Sequence, residues 1–483
     1  MYIKQPVTYL FRWMTNKSVL FYFLAFALCS LIWSQYAMEF RLALISIISV
    51  LLFFFGGESV MRKYQYRSPK RFVRNIFWLG FFIRVVWAVY MYYFNIDVYG
   101  QALGDGADTE WYVPVAKAGV EAIKEGNWNI VELWHTTWQA EYDDMGYPFW
   151  LMVEYFFVGE VSDVFVPFMV KCLVGAFCPV FIYNIGQRHW GEAVGRIAAV
   201  FVMLNPNMIY WCGNMMKEAE MVFVVCLFVD KMDKALHGRN WTFMGLLPAS
   251  LVGLYLFAFR SSLGMVMFLA VMAEVVFASS RVMATGKKII AGFMVALVLL
   301  IGMGESLRTQ TRSVMAEIQS GQQKANMEWR SRRKDGGNSF AKYAGATVFA
   351  PLIFTIPFPS FNIALESQIL QRMLSGGSYV KNVLSFFVLL MLFLMLFTKE
   401  WRQHVFIIAL TCGYLAALVL SKFAQSGRFH MPIMPFLMLF AAYGICVAYK
   451  NLKYRRWYNI ALGVELIACI AWNWFKLRGR GMI

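Results

Sequence analysis

Charged residues are scarce in this sequence of 483 residues: Asp, Glu, Lys and Arg together make up 15%, whereas hydrophobic residues make up 60%. The mean hydropathy is +0.54. One water-soluble core of this length could not hide so much apolar surface, so the composition excludes an ordinary soluble enzyme. The sequence predicts an all-α, polytopic integral membrane protein, because a helix satisfies its own backbone hydrogen bonds inside lipid.

Common metal-binding and nucleotide-binding motifs are also lacking. The eight cysteines show no CxxC spacing and nearly all lie in apolar runs, which favours buried thiols. The five histidines are scattered along the chain without an HExxH pair, so the sequence predicts no zinc or other metal site of this kind. It contains no glycine-rich phosphate loop, no convincing internal repeat and no long low-complexity tract.

Positive charge is abundant, and much of it lies in short loops. The net charge of +17 raises nucleic acid as a partner, yet the basic residues crowd residues 62–74, 231–239, 281–288 and 450–456, between apolar runs. This is the positive-inside pattern, which places those loops and the N-terminus in the cytoplasm and argues against nucleic acid. The first apolar run has no small-residue cleavage site, so we expect an anchor.

Apolar runs of spanning length predict about 13 transmembrane helices. The predicted spans are residues 18–36, 41–56, 74–94, 163–185, 192–211, 219–236, 243–259, 264–279, 288–303, 382–398, 403–420, 431–448 and 458–474. Residues 146–159 are apolar but too short to span, which predicts an interfacial or re-entrant helix. The basic C-terminus falls outside by this scheme, against the charge rule, so the last span or the segment 346–363 is open to another assignment.

The predicted spans divide the chain into three parts. Residues 1–73 are an N-terminal addition of two spans with a basic cytoplasmic loop. Residues 74–279 are a transmembrane core that includes an acidic external loop, 95–162. Residues 280–483 are a C-terminal transmembrane half with a basic external loop, 304–345. The two external loops therefore carry opposite charge on the same side of the membrane.

The acidic loop places Asp105, Asp108 and Glu110 within six residues. A membrane surface lowers the local dielectric, and a carboxylate held there can act as a base that takes the proton of an acceptor hydroxyl. The structural alternative is an Asx turn or a helix N-cap at Asp108. Aromatic residues of the loop, such as Tyr112, fit sugar stacking and interfacial anchoring equally well.

Several motifs occur in a recognisable order. The segment Asp108-x-x-x-Tyr112-x-x-x-Ala116, followed by Gly119, resembles the first external loop of the GT-C membrane glycosyltransferases. This clan uses polyprenyl-phosphate sugars and includes protein mannosyltransferases and lipid A aminoarabinose transferases. Further segments resemble later motifs of the clan, in the same order: residues 146–151, 186–191 and 205–210, then Lys217 with Glu218, Arg260, and residues 427–435.

The resemblance implies both an activity and a site. The enzyme would transfer a sugar or glycan from a polyprenyl-phosphate or diphosphate donor to a glycan, lipid or protein acceptor on the external face of a bacterial inner membrane. Asp108 would be the catalytic base, and Asp105 a metal ligand, a second base or a structural acid. A glycan polymerase or ligase would share this chemistry. A flippase for a lipid-linked saccharide is the alternative from another class.

Basic residues at the external face would bind the phosphate of the donor. Arg308 and Arg312 lie in the basic loop, which could also be a solvated loop or contact anionic membrane lipids. Lys217, Arg260 and Arg428 lie at predicted external span ends, where snorkelling is the alternative. The complete set of expected substrate-binding residues is Glu110, Tyr112, Tyr147, Lys217, Glu218, Arg260, Arg308, Arg312, Arg428 and His430.

No cofactor is expected with certainty. Paired acids permit a divalent cation such as Mg²⁺ or Mn²⁺, but three acids in one loop do not require one. Glu218 has three open interpretations: it could bind the acceptor, assist such a cation or cap the helix that follows it.

Overall fold

A computed structural model describes residues 11–104, 107–159, 164–237, 243–278, 350–365, 369–421, 423–424, 426–479 and 481–483. These residues form helices and no β-strand, which confirms the all-α prediction. The helices, in chain order, are α1 (Arg12–Ile32), α2 (Phe40–Leu51), α3 (Gly57–Tyr64), α4 (Pro69–Tyr99), α5 (Ala107–Lys124), α6 (Ile130–Trp138), α7 (Gly146–Val158), α8 (Phe165–Trp190), α9 (Glu192–Leu204), α10 (Pro206–Tyr210), α11 (Glu218–His237), α12 (Phe243–Phe259), α13 (Ser261–Phe277), α14 (Ile369–Arg372), α15 (Ser375–Thr398), α16 (Val405–Leu420), α17 (Met434–Lys450) and α18 (Leu452–Gly479).

Seven helical units in the described chain are long and apolar enough to cross a membrane. They are α1, α2 with α3, α4, α8, α15, α17 with the turn before it, and α18. The bent pair α9 and α10 adds an eighth if it counts as one span. These spans make the chain a helical integral membrane protein.

The remaining predicted spans are less clear-cut. Helices α12, α13 and α16 are apolar but have only 16 or 17 residues. Helix α11 has 20 residues, but acidic side chains in its first turn and basic ones in its last turn lower its hydropathy. The predicted span 288–303 lies outside the described residues. The count of 13 therefore stays a prediction, although every described predicted span falls on a helix.

Residues 350–365 form turns rather than a helix, so the described part of segment 346–363 is not a helical span. The segment is nevertheless buried, with Phe361 and Ile363 in the core. Buried carbonyl groups need hydrogen-bond donors. Side chains of α15 supply them: Lys381 donates to the carbonyl of Ile356, and Asn382 to that of Thr355. The non-helical backbone is thus satisfied by the helix packed against it.

A break separates α9 from α10, where the chain bends by 47°. Pro206 has no N–H, so it cannot donate to the carbonyl of Val202 one turn earlier. The fully buried Arg84 of α4 replaces this donor: its Nη2 lies 3.4 Å from the oxygen of Val202, and its Nη1 lies 3.2 Å from that of Met203. Arg84 thereby joins α4 to the bend that leads the chain toward α11.

Helices α5, α6 and α7 lie between α4 and α8 in the chain and build one side of the candidate site. Helix α7 has only 13 residues, which agrees with the short helix predicted there. Its first residue, Gly146, is pressed against α12, since a Cβ atom at this position would lie 2.7 Å from the carbonyl carbon of Ala258. Tyr255 of α12 also donates to the carbonyl of Gly146 at 2.7 Å. These contacts fix the segment before α7 beside the end of α12.

Candidate functional site

A cleft of about 590 Å³ opens where α5, the start of α11, the end of α12 and the segment before α17 meet. Seven of its lining residues carry charge or a hydroxyl group suited to binding or proton transfer: Asp108, Tyr112, Glu141, Asp144, Lys217, Arg260 and Arg428. We refer to this site as the cleft. Aromatic side chains of Trp111, Trp138 and Phe429 complete its wall.

Arg428 lies between two carboxylates at the cleft. Its Nη2 donates to Asp108 Oδ2 at 2.5 Å, and its Nε donates to Glu218 Oε1. The side chain of Glu218 is fully buried, whereas that of Asp108 is 40% exposed. Burial alone would lower the pKa of Arg428, but the charges of Glu218 and Asp108 raise it above its usual value. Arg428 is therefore a permanent cation that joins a buried acid to an accessible one.

Asp108 lies in the first turn of α5. The N-terminal end of a helix is partially positive, so the negative charge of Asp108 stabilises α5. The same carboxylate faces the cleft and contacts Arg428. The structural and the chemical interpretations of Asp108 are thus compatible, since one position serves both.

Lys217 and Tyr112 form a second polar contact in the cleft. Lys217 Nζ lies 2.5 Å from Asp144 Oδ1 and 6.0 Å from the centre of the Tyr112 ring. Burial raises the pKa of Tyr112 well above its usual value, and the nearby charges of Asp144 and Asp108 raise it further. The phenol therefore stays protonated and is a hydrogen-bond donor rather than a base.

Arg260 contributes a positive charge at the junction of α12 and α13. Its Nη1 donates to the hydroxyl of Tyr414 at 2.9 Å, and its guanidinium carbon lies 4.4 Å from the centre of the Phe429 ring. Among the residues described by the structure, no carboxylate lies within ion-pair distance of Arg260. Its charge is thus available to an anion in the cleft.

Five residues expected from the sequence share this cleft: Asp108, Tyr112, Lys217, Arg260 and Arg428. Glu218 lies behind Arg428 and fixes its orientation. Three further candidates, Asp105, Arg308 and Arg312, lie outside the described residues.

Three other candidates are not among the residues that line the cleft. Tyr147 is fully buried, with its ring centre 5.0 Å from that of Tyr112, so it packs against a residue that lines the cleft. Glu110 is exposed elsewhere on α5. His430 is fully buried and bonds to Lys381 Nζ and to the carbonyl of Ala424, both at 2.9 Å.

Sequence reasoning missed two charged pairs around the cleft. Asp144, the partner of Lys217, lies just before the apolar helix α7, where an acid beside a span would have been a usable signal. Lys171 and Glu220 form an ion pair of 2.7 Å with both side chains fully buried. Ionisable residues inside predicted spans tend to pair with one another, which is the signal that points to them.

The histidines are scattered along the sequence, but three of them lie close together in the structure. His189 Nδ1 and His404 Nδ1 lie 2.7 Å apart, and His189 Nε2 lies 2.7 Å from Asp233 Oδ1. His237 belongs to the same group. A sequence signal existed: Asp233 and His237 are four residues apart on α11 and so share one face of the helix.

The fold and the cleft define the class: a helical integral membrane protein with a charged cleft where several helices end. No family model matches the chain, and a search of curated proteins found no similar sequence.

Proposed function

We propose that the chain is a membrane glycosyltransferase of the GT-C type, which moves a sugar or glycan from a polyprenyl-phosphate or diphosphate donor to an external acceptor. One observation carries the proposal. A carboxylate, Asp108, and three cations, Lys217, Arg260 and Arg428, come from four well-separated parts of the chain and line one cleft. A base beside phosphate-binding groups is what this transfer requires.

The chemical step is a single displacement. The oxygen of the acceptor hydroxyl attacks the anomeric carbon while the bond from that carbon to the phosphate oxygen breaks. The bonding electrons leave with the phosphate, and Asp108 takes the proton of the hydroxyl. One base is enough for this reaction, which inverts the configuration at the sugar carbon. General-base catalysis of this kind contributes about 10²–10⁴ in rate.

The cations would stabilise the departing phosphate. A guanidinium group has five N–H donors, and in the described contacts Arg428 uses its Nε and Nη2 groups to bind carboxylates. The remaining donors, together with Arg260, suit phosphate oxygens. If the donor phosphate takes over the Nη2 group, Asp108 is released from its ion pair as the donor binds. Donor binding would then prepare the base.

The walls of the cleft suit a saccharide. Trp111, Trp138 and Tyr112 present aromatic rings, on which the apolar faces of sugars can stack. The volume of about 590 Å³ lies within the usual range of ligand pockets, about 300–1,000 Å³. Glu141 and Asp144 add carboxylate oxygens at the rim, which could bind Mg²⁺ or Mn²⁺, although the displacement itself does not need a metal ion.

The proposed topology has about 13 spans, with the basic loops in the cytoplasm. The cleft then faces the external side of the membrane, which in a bacterial inner membrane is the periplasm. A role in building cell-envelope glycans follows from that position. A polymerase or ligase would use the same site with an oligosaccharide on a diphosphate carrier.

Transfer can be measured with wild type, Asp108→Asn and the matched control Glu110→Gln, which changes an acid of the same helix outside the cleft lining. Each purified protein is placed in liposomes with radiolabelled polyprenyl-phosphate sugars and a crude envelope acceptor. We expect wild type and Glu110→Gln to transfer label, and Asp108→Asn to lose about 10²–10⁴ of the rate.

Two results would contradict this proposal. Transfer by Asp108→Asn within a few fold of wild type would remove Asp108 as the base. Movement of labelled lipid across the liposome membrane by all three proteins, with no transfer, would instead indicate a flippase.

The orientation is tested separately with Lys124→Cys, which places a thiol at the exposed end of α5. We expect a membrane-impermeant maleimide to label it from the outside of intact cells. The background should be low, because seven of the eight native cysteines are buried. Labelling only after permeabilisation would invert the proposed topology.

A further inference from the structure

Three of the five histidines meet at the end of α11 that is opposite the cleft. His189 lies in the last turn of α8, His237 is the last residue of α11, and His404 directly precedes α16. With Asp233 and Glu274 they form what we refer to as the histidine cluster. The cluster brings together side chains from four separate parts of the bundle.

Asp233 is the centre of the histidine cluster. Its Oδ1 lies 2.7 Å from His189 Nε2 and 3.0 Å from His237 Nδ1. Its Oδ2 accepts a hydrogen bond from Arg188 Nε at 2.7 Å. The side chain of Asp233 is fully buried, and that of His189 is 6% exposed. Two imidazole nitrogens therefore converge on one buried carboxylate oxygen, and His237, at 19% exposure, is the most accessible of these three side chains.

The other polar atom of each imidazole is also held in place. His237 Nε2 lies 3.2 Å from Glu274 Oε1, and Glu274 Oε2 accepts from the backbone N–H of Phe406 at 2.8 Å. His189 Nδ1 contacts His404 Nδ1 at 2.7 Å. An outer partner on the second ring nitrogen is the usual arrangement around metal-bound histidines, because it fixes the ring and its tautomer.

The net negative charge of this region would favour a bound cation. Asp230, Asp233 and Glu274 contribute three negative charges, and Arg188, which also pairs with Asp230 at 2.9 Å, contributes one positive charge. Two negative charges remain in a buried site, where uncompensated charge is strongly unfavourable. A divalent cation would neutralise them, and so would two protonated imidazoles. Metal content separates these two possibilities.

We infer that the histidine cluster binds one divalent transition-metal ion of the Zn²⁺ type through His189 Nε2, Asp233 Oδ1 and His237 Nδ1. The candidate ligand atoms all lie within 4.8 Å of one another. Zinc bonds of about 2.0–2.2 Å place tetrahedral ligands about 3.3 Å apart, so small side-chain movements would suffice. Imidazole and carboxylate ligands suit this ion.

Such a site would have two consequences. Three protein ligands leave a fourth position of the tetrahedron for water or a small ligand. The ion would also cross-link the last turn of α8 to the last turn of α11, so its removal should loosen the bundle. Neither consequence depends on glycosyl transfer, since the histidine cluster lies at the other end of α11 from the cleft.

Metal content is the decisive measurement. The full-length protein is purified with an affinity tag that contains no histidine, and bound metal is measured by plasma mass spectrometry. The variants are His189→Gln with His237→Gln, and the control His135→Gln, whose imidazole lies on α6. We expect about one Zn²⁺ per chain in wild type and in the control, and at least a tenfold loss in the double variant.

Two further measurements cover the case in which the double variant does not fold. Replacing the bound ion of wild type by Co²⁺ should give the visible absorption bands of tetrahedral cobalt. Glu274→Gln, which changes only an outer partner, should bind Zn²⁺ about 10–100-fold more weakly. Wild type with less than a tenth of a metal ion per chain, with no cobalt bands and no thermal stabilisation by added Zn²⁺, would overturn the inference in favour of protonated histidines.

Discussion

The charged groups at the two ends of α11 differ in the exposure of one carboxylate each, Asp108 at the cleft and Asp233 in the histidine cluster. Glu218 begins the helix at the cleft and His237 ends it in the histidine cluster, 19 residues and about 28 Å away. At the cleft, Asp108 and Arg428 remain partly exposed, at 40% and 24%. In the histidine cluster, Asp233 is fully buried. The contrast lies in these two carboxylates, because the paired cations are similarly exposed: Arg428 at 24% and Arg188, the partner of Asp233, at 30%.

This difference separates groups that can react from groups that hold the bundle together. A base must be reached by its substrate, and the proposed base Asp108 meets this condition because its side chain is 40% exposed. A closed network gains strength from the low dielectric around it, but it becomes costly when one member is lost. Mutations at the cleft should therefore change mainly the rate of transfer, and mutations in the histidine cluster mainly the free energy of unfolding.

Arg428→Met should produce the largest effect, because it acts on both quantities. It leaves Glu218 buried without its cation, which we expect to lower the free energy of unfolding by about 3–5 kcal/mol. It also removes one of the proposed phosphate-binding groups, so transfer should fall by at least about tenfold. Unfolding in detergent and the transfer assay measure the two effects. The double variant Arg428→Met with Glu218→Gln should recover most of the stability but not the transfer; equal instability of single and double variants would refute this account.

Asp233→Ala should affect mainly stability. It leaves Arg188 and two imidazoles without their shared carboxylate, so the free energy of unfolding should fall by about 3 kcal/mol. Transfer per folded molecule should fall much less than in Arg428→Met. The same two assays check this expectation. A loss of transfer as large as that of Arg428→Met, at full stability, would show that the two ends are not separate.

Arg260→Gln should affect mainly donor use. Its guanidinium has no carboxylate partner among the described residues, so its loss should leave the unfolding temperature almost unchanged. Losing a charge-assisted hydrogen bond to phosphate should raise the donor concentration for half-maximal transfer about tenfold or more. Arg260→Lys keeps the charge, so its donor concentration for half-maximal transfer should lie between those of wild type and Arg260→Gln. A fall in stability without a change in donor use would make Arg260 a structural residue.

Arg41→Gln should have the smallest effect and serves as the baseline. Arg41 pairs with Asp97 at 2.8 Å, but the side chains are 66% and 62% exposed. Water and salt screen such a pair, so neither stability nor transfer should change measurably. Any larger effect would mean that exposed charges matter more in this protein than accessibility predicts.

The sequence predicted the helices well because length and hydropathy decide them. Its main simplification was the single span 192–211, which the structure divides at Asn205 into α9 and α10. The Asn205-Pro206 pair was the available signal, since a residue before proline avoids the helical conformation. The conformation of residues 346–363 could not be predicted from hydropathy alone. Buried side chains of α15 donate hydrogen bonds to the non-helical backbone there.

The site could be predicted only as a list of residues expected on the external side of the membrane. Asp108 and Arg428 are separated by 320 residues, and Arg428 and Glu218 by 210, and no local pattern encodes such pairings. The same holds for the histidines: His189 and His404 are in contact but are 215 residues apart in the sequence. The sequence indicated the residue types of the cleft, and its prediction of the external side of the membrane stays a prediction. What it lacked was the packing of α8, α11 and α16.

The contacts of Arg84 bear on the order in which the helices are synthesised and inserted into the membrane. Its carbonyl partners, Val202 and Met203, follow it in the chain by 118 and 119 residues. A ribosome that adds about 5–20 residues per second needs about 6–24 s to make that stretch. Until then Arg84, near the centre of α4, has only the carbonyl of Gly80 in its own helix as a partner, and an arginine at the centre of a span costs about 2.5–3.5 kcal/mol during insertion. The 31 residues of α4, with a mean hydropathy of 1.5 in their best window, provide the affinity for lipid that carries this charge until α9 arrives.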